Sequence, residues 1–529
     1  MSEPRPAADP ETRPLDRLSA LYLLATAVGG GAVIMAVELL GARMLSPVYG
    51  GSLTVWAAMI SVTMLSLACG YFLGGWLADR WPRPGLFYLA LLLAAGLVAL
   101  CPHLRFLLAG CYRLMGLKAG ALAASSLLFF LPLGLMGMLS PAAIRLLSSR
   151  RRVGITAGGV YAISTVGSVA GTLLTGLWLI PAFGTATGFR MASVVLALLG
   201  ALGLITRLRA RGAAALLVPL GLAFVPAPLA RVGQVYLAPD GERVKVVAAR
   251  DSAHGRIVVL EKGAYNLLVV GGIIQTGTPR NLERLQKGDC LATHYFQELL
   301  PYTVRAPEKT SALLVGLAGG MTASMLRLYD MEVDAVDLDP EMIAVARRHF
   351  SFRGNAVAAD GRRFLEDCRK SYDFCVIDTY SGDVFPFHLA SREAFVAARR
   401  VLKPRGVLAI NYIGSPAGRA FACTYRTIAD VFPQVRAIRG EPGDDVQTIT
   451  VFASDHAIEF NGAWLDERPG GFGAADPIGE AIDNLSFKPD LAGSFVLTDD
   501  FNPIDFLRAD EALRWRTRTR KNIGTAVGL

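Results

Sequence analysis

Between residues 19 and 206 the chain passes through six apolar stretches of about 20 residues or more, parted by short loops. No other feature limits its fold as strongly. A helix needs roughly 20 apolar residues to cross the hydrocarbon core of a bilayer. Inside that core every backbone polar group must be satisfied internally, so runs of this kind fold as helices. The stretches are 19–40, 52–78, 86–104, 119–147, 155–180 and 187–206. A seventh, 213–230, contains Pro219, Pro226 and Pro228 and reads as a full crossing, a broken helix or an interfacial segment.

Charge gives this half a direction. The net charge is +9, but much of the excess is arginine in the loops between apolar runs. Arg5, Arg13 and Arg17 precede the first run, Arg80 and Arg83 follow the second, Arg145 to Arg152 the fourth, and Arg207 to Arg211 the sixth. With six crossings these regions fall on one side, the positive-inside pattern of a multi-pass inner-membrane protein. That reading puts the N-terminus and everything after residue 231 in the cytoplasm, makes the lipid bilayer a partner, and disfavours nucleic acid. The first 17 residues are polar and Pro-rich, and are expected to be disordered rather than a cleaved leader. The basic run in 511–529, from Arg514 to Lys521, reads as a tail facing solvent or lipid headgroups. Glu38 is the odd residue of the first span: a functional carboxylate, or one solvated near the interface or paired with Arg43. Glycines and small residues at 167–171 suit close helix packing.

The seven cysteines include no CxxC pair, which argues against a disulfide framework or a structural zinc site. No metal-ligand spacing is present.

After residue 231 the pattern is that of a soluble domain. Residues 235–280 read as a small antiparallel β-region of Val/Ile/Leu runs broken by Gly turns. A helix-like segment, 290–304, follows, and then strands alternate with helices through 290–510. "ALLVGL", "EVDAVDLD", "NAVAA", "YDFCVID" and "GVLAINYIG" supply five strands. The expected architecture is an α-helical transmembrane bundle plus an α/β, doubly wound, Rossmann-like sheet of the S-adenosylmethionine-methyltransferase type. Ligands of such sheets bind at the carboxyl ends of the strands. Gly316, Asp337, Asp360 and Asp378 all map there. The turn "VGLAGGM" lacks the Lys and Ser/Thr of a phosphate-binding loop, and Gly316-x-x-Gly319-Gly320 does not keep dinucleotide spacing. A nucleoside remains. Asp337 is placed for both ribose hydroxyls and Asp360 for the adenine amino group, although a helix N-cap is the plainer role for one of these aspartates. S-adenosylmethionine or its decarboxylated form is the expected co-substrate, with no permanently bound cofactor.

At this point the soluble half resembles the spermidine synthase (polyamine aminopropyltransferase) family, in its membrane-fused bacterial branch. The motifs are "DSAHG" (251–255), "GGIIQTG" (271–277), "LLVGLAGGM" (313–321), "AVDLDP", "ADG", "VIDTYSGDVFPFHLASREAF" (376–395) and "LTDDFNPIDFL" (497–507), with "ELLGARMLSPVYG" in the apolar half. The resemblance implies that Asp378 is the base taking a proton from the attacking amine. It places Gly361 beside Asp360 at the adenine and Gln275 in a loop before the site. His294, with Tyr295 next to it, falls where the family has a substrate-binding tyrosine. It implies a small amine substrate, and a homodimer is compatible with it. Two positions depart from the family. Gly319 stands where an aspartate usually faces the donor's amino end. Ser381 stands where a second aspartate usually follows the base, with Asp383 two residues further on. Losing a carboxylate there would admit intact S-adenosylmethionine. Three readings stay open: an aminopropyltransferase using an amine such as putrescine, an enzyme of the same fold using intact S-adenosylmethionine, and a transporter or sensor that binds an adenosyl ligand without turnover.

Overall fold

The computed structural model describes residues 17–148, 153–208, 232–280, 310–440, 445–460 and 485–523, apart from 381 and 383, with a few isolated residues between these segments. The chain forms two compact units, Met1–Leu45 with Ala57–Pro228, and Ser46–Trp56 with Leu229–Leu529.

The first unit is helical: α1 (Arg17–Tyr49), α2 (Leu53–Arg80), α3 (Pro84–Leu100), α4 (Arg105–Gly137), α5 (Leu139–Leu147), α6 (Val153–Leu174) and α7 (Ile180–Leu208). Among the described residues, five helical stretches are long and apolar enough to cross a membrane. The last of these, Val153–Ile205, contains two of the expected spans. The helix from Val153 runs through a π-turn at Thr175–Leu179, and at Gly184 the backbone leaves helical geometry with φ of +77°. The expected break between 180 and 187 is therefore present: before it the chain runs parallel to α1, with Gly167 against Val28 and Gly171 against Ala32, and after it antiparallel, with Gly188 against Leu40 and Leu199 against Gly29. A Cβ on Gly167 would lie 2.2 Å from the Val28 carbonyl oxygen, so the small-residue pattern marks true backbone contact. Glu38 is 9% exposed and sits among the buried residues of α1. The seventh apolar stretch lies largely outside the described residues.

The second unit holds two sheets. A five-stranded antiparallel sheet follows chain order: β1 (Val235–Leu237), β2 (Arg243–Asp251), β3 (Arg256–Lys262), β4 (Tyr265–Val270) and β5 (Ile273–Pro279). The larger sheet is mixed. Its parallel part alternates β6 (Ser311–Val315), α8 (Met321–Leu328), β7 (Glu332–Asp337), α9 (Pro340–His349), β8 (Asn355–Ala358), α10 (Gly361–Asp367), β9 (Tyr372–Ile377), α11 (Arg392–Arg400) and β10 (Leu402–Gly414). Then come α12 (Arg419–Val431), β11 (Gln434–Arg439), β12 (Gln447–Ser454), β13 (Ser486–Phe487), α13 (Ile504–Leu507) and α14 (Ala509–Ile523). The spatial order is β13-β11-β12-β10-β9-β6-β7-β8. Strands β8, β7, β6, β9 and β10 run parallel, and β12 adds antiparallel to β10.

Every residue of β6 is buried, because helices cover both faces of a parallel sheet and its strands read as continuous apolar runs. Strand order reverses between β6 and β9, so the crevice of this doubly wound sheet opens where Gly316 and Asp378 leave their strands.

The C-terminal run is not a solvated tail. Residues 509–523 form α14, and Arg516 within it is 2% exposed. Its guanidinium is buried because backbone carbonyls receive its hydrogens, which removes most of the cost of leaving water.

Candidate active site

The turn after β6 is shaped by contact with the turn after β9. Gly316 has φ of +95°, and a Cβ there would lie 2.0 Å from the Asp378 carbonyl oxygen. Only glycine meets both conditions. The Gly316 N–H donates to the Val336 carbonyl and the Asp378 N–H to the Val315 carbonyl, each at 2.8 Å. The glycine turn, the end of β7 and the end of β9 are thereby held together. Gly320 then starts α8.

Asp337 lies under this turn. Its carboxylate accepts from the N–H groups of Leu317 (3.0 Å), Ala318 (3.4 Å) and Asp339 (2.9 Å). Burial raises its pKa above the ordinary carboxylate value, against the pull of these three donors. Asp339 caps α9 by accepting from the Glu341 N–H at 3.0 Å, with Pro340 in the first turn. Asp360 does two things. One oxygen caps α10 through the Arg363 N–H at 2.9 Å, and the other stands 3.1 Å from His388 Nε2. The capping role expected for one aspartate therefore falls on Asp339 and, in part, on Asp360, while Asp337 is not a cap.

At the end of β9, Asp378 accepts from Asn411 Nδ2 of β10 at 2.9 Å. Gln275 donates to the Gly382 carbonyl at 3.0 Å, fastening β5 to the loop after Asp378. In the same loop Tyr380 offers its hydroxyl oxygen to the Ile413 N–H at 2.7 Å, and burial pushes its pKa up to about 12.

A cleft whose empty space, counting that open to solvent, is about 1100 Å³ runs through these groups. It brings together Gly316, Asp337, Asp360, Gly361, Asp378 and Gln275, all singled out from sequence. Gly319 and Gly320 are not among its lining residues. A Cβ on Gly319 would meet Thr276 Cγ2 at 3.0 Å and Phe350 Cδ1 at 3.3 Å. His294, Tyr295, Ser381 and Asp383 lie outside the described residues. Lining groups without a role in the sequence reading include His254, His388, Asn411 and Trp515. The first three stand inside quoted motifs or strands, where their type alone gave no role. Trp515 was hidden in a segment read only for its charge. Among the described lining residues the charged groups are the carboxylates of Asp337, Asp339, Asp360 and Asp378, with no lysine or arginine.

A methyltransferase domain model matches residues 313–410, from β6 into β10. Over 161 residues the chain is 30% identical to the N-terminal histidine N-methyltransferase of Emericella nidulans, covering 28% of this chain and 29% of that one. Over 436 residues it is 26% identical to polyamine aminopropyltransferase 1 of Streptomyces coelicolor, covering 78% of each. A solved probable spermidine synthase from Corynebacterium glutamicum matches 50% of this chain and 93% of its own, at 18% identity and a TM-score of 0.38. The chain thus spans less than a third of the first relative and nearly four fifths of the second. The matches place a methyltransferase-type domain at residues 313–410. Over most of its length the chain is similar to a polyamine aminopropyltransferase.

Proposed function

We propose that this chain is a membrane-anchored aminopropyltransferase that moves the aminopropyl group of decarboxylated S-adenosylmethionine to a small amine such as putrescine, releasing methylthioadenosine. The observation that carries the reading is Asp378: a carboxylate at the strand-order switch point, oriented by Asn411 and next to the glycine turn. The acidic lining supports it further, because donor and acceptor are both cations. Asp337 and Asp360 would take the ribose and the adenine, leaving Asp378 for the amine. An ammonium has no lone pair, so the amine must be neutral to react. Its nitrogen attacks the carbon beside the sulfonium, and the carbon–sulfur bond breaks with its electrons going to sulfur. The proton lost by nitrogen goes to the Asp378 carboxylate.

Gly319 favours a second reading, with intact S-adenosylmethionine as donor, because the family's aspartate is missing there. A cytoplasmic catalytic unit requires that 213–230 not cross the membrane, which reporter fusions before and after that segment would decide.

The test uses full-length protein in detergent, given either donor with and without putrescine, and follows methylthioadenosine and adenosylhomocysteine by mass spectrometry. Methylthioadenosine only from the decarboxylated donor plus amine is the expected result. Product from the intact donor alone moves the assignment to the second reading, and bound nucleoside without product points to a sensor. Asp378→Asn should lower kcat by about 10²–10⁴-fold, the usual worth of a general base, and leave nucleoside affinity within about 3-fold. Full activity in that variant would remove Asp378 from the chemistry.

A further inference from the structure

Helix α14 lies outside the matched methyltransferase segment, yet Trp515 in it lines the cleft. We infer that Trp515 is a specificity-determining wall for the acceptor's hydrocarbon chain, and that Arg516 beside it is the positioning residue that sets this wall against the loop following Asp378. This inference rests on the aminopropyl-transfer reading above.

Sheet order divides the cleft. The nucleoside-facing groups, Gly316, Asp337 and Asp360, stand at the ends of β6, β7 and β8. Beyond β9 and its Asp378 come β10, which contributes Asn411 and Ile413, and the β4–β5 region, which contributes Val270, Ile274 and Gln275. Trp515 belongs to this second group, because its neighbour Arg516 donates to the Gly271 carbonyl in the β4–β5 turn at 2.9 Å. A reactant placed there lies across Asp378 from the nucleoside, where the attacking amine must come from. The indole already carries the Arg518 guanidinium 6.0 Å from its ring centroid. The surface it gives to the cleft therefore suits methylenes better than a second cation, and the charged end of the acceptor falls to the carboxylate lining.

Arg516 shows why the wall is rigid. Its Nη1 donates to the carbonyls of Ser46 and Pro47 at 2.8 Å as well as to Gly271. A Cβ on Gly382 would lie 3.4 Å from its Nη2. One buried guanidinium thus bonds the Ser46–Pro47 segment to the β4–β5 turn and packs beside Gly382 in the loop that follows the base. A lysine has a single nitrogen, so it could replace the Nη1 bonds but not also the Nη2 packed beside Gly382.

Acceptor and donor saturation curves on the full-length enzyme test the inference. Trp515→Ala should raise KM for putrescine at least 10-fold and leave the donor KM and methylthioadenosine affinity within 2-fold. Trp515→Phe should recover most of the loss. Arg516→Lys should raise the acceptor KM and lower kcat, again with methylthioadenosine affinity retained. An unchanged acceptor KM in Trp515→Ala, with wild-type turnover normal, overturns this inference and leaves the function standing. If wild type yields no methylthioadenosine, the function reading falls. Calorimetric titration of spermidine into protein saturated with methylthioadenosine then decides Trp515 separately. A 10-fold weakening in the alanine variant supports the wall, and equal or absent binding in both proteins overturns it.

Discussion

Replacing Asp337 with asparagine tests whether the acidic residue under the glycine turn holds the ribose. The substitution is close to isosteric but removes the charge and turns one acceptor oxygen into a donor. In the native arrangement one carboxylate oxygen faces the N–H groups of Leu317 and Ala318, and the other faces that of Asp339. An amide cannot accept on both sides, so at least one buried N–H loses its partner. That costs about 1–3 kcal/mol of stability. Two ribose hydroxyls donating to a carboxylate contribute about 1.5–3 kcal/mol each. Asparagine keeps one neutral acceptor, so the loss is about 2.5–4 kcal/mol, or roughly 10²–10³ in Kd. Isothermal titration with methylthioadenosine measures it, with 2′-deoxy-methylthioadenosine as the control ligand. The deoxy ligand should bind the wild type weakly and lose much less than the ribo ligand on mutation. Affinity within 3-fold of wild type, or equal losses for both ligands, would refute the ribose assignment. pH gives an independent check. Burial raises the folded-state pKa of Asp337, so its contribution to stability is present at low pH and lost as pH rises through that value. Nucleoside affinity runs the other way: it needs the ionised form and falls as pH drops through the raised pKa. The asparagine variant should show no such fall.

Asp360→Asn keeps the oxygen that caps α10 but loses the charge toward the adenine amino group. Methylthioadenosine should weaken about 10-fold while methylthioinosine weakens less, as read by competitive binding; an unchanged preference would detach Asp360 from the base. Arg508 is 2% exposed, donates to the Ile413 carbonyl at 2.7 Å and lies over the rings of Tyr380 and Tyr412 at 5.4 and 5.2 Å. Arg508→Ala should cost about 3 kcal/mol, because it breaks a buried charge network; a melting temperature within a degree of wild type would contradict that. Gly319→Asp needs space that Thr276 now fills, so it is made together with Thr276→Gly. The double variant should bind intact S-adenosylmethionine at least 10-fold less well relative to the decarboxylated form, and an unchanged ratio would remove donor choice from this position.

Particular elements show how much of the fold could be read from sequence. The five parallel strands were legible because each is a short apolar run bounded by turn chemistry, as in β6 with every residue buried. The antiparallel region was legible from runs separated by Gly turns. The apolar half was legible as helices, and so was its break between residues 180 and 187. Within Val153–Ile205 the stretch holding Pro181 and Gly184 marks that break, and Gly184 takes φ of +77° there. Helix α14 was missed for a physical reason. Sequence shows that arginine is charged, but burial depends on whether carbonyls from distant segments converge on it, as those of Ser46, Pro47 and Gly271 do on Arg516.

The same distinction separates the legible part of the site from the rest. Asp337, Asp360 and Asp378 stand at strand ends, where topology alone brings side chains into one crevice, so strand counting located them. Asn411 and His388 act through partners that only the folded chain supplies: the carboxylate of Asp378 at 2.9 Å and that of Asp360 at 3.1 Å. Gly319 is the opposite case. From sequence its lost carboxylate bears on the donor, but the folded chain fills its Cβ position with Thr276 and Phe350. The change at 319 is thus matched by packing from β5, a strand of the other sheet. A side chain restored at 319 has to displace that packing before it can face a ligand, which is why the test of donor choice changes positions 276 and 319 together.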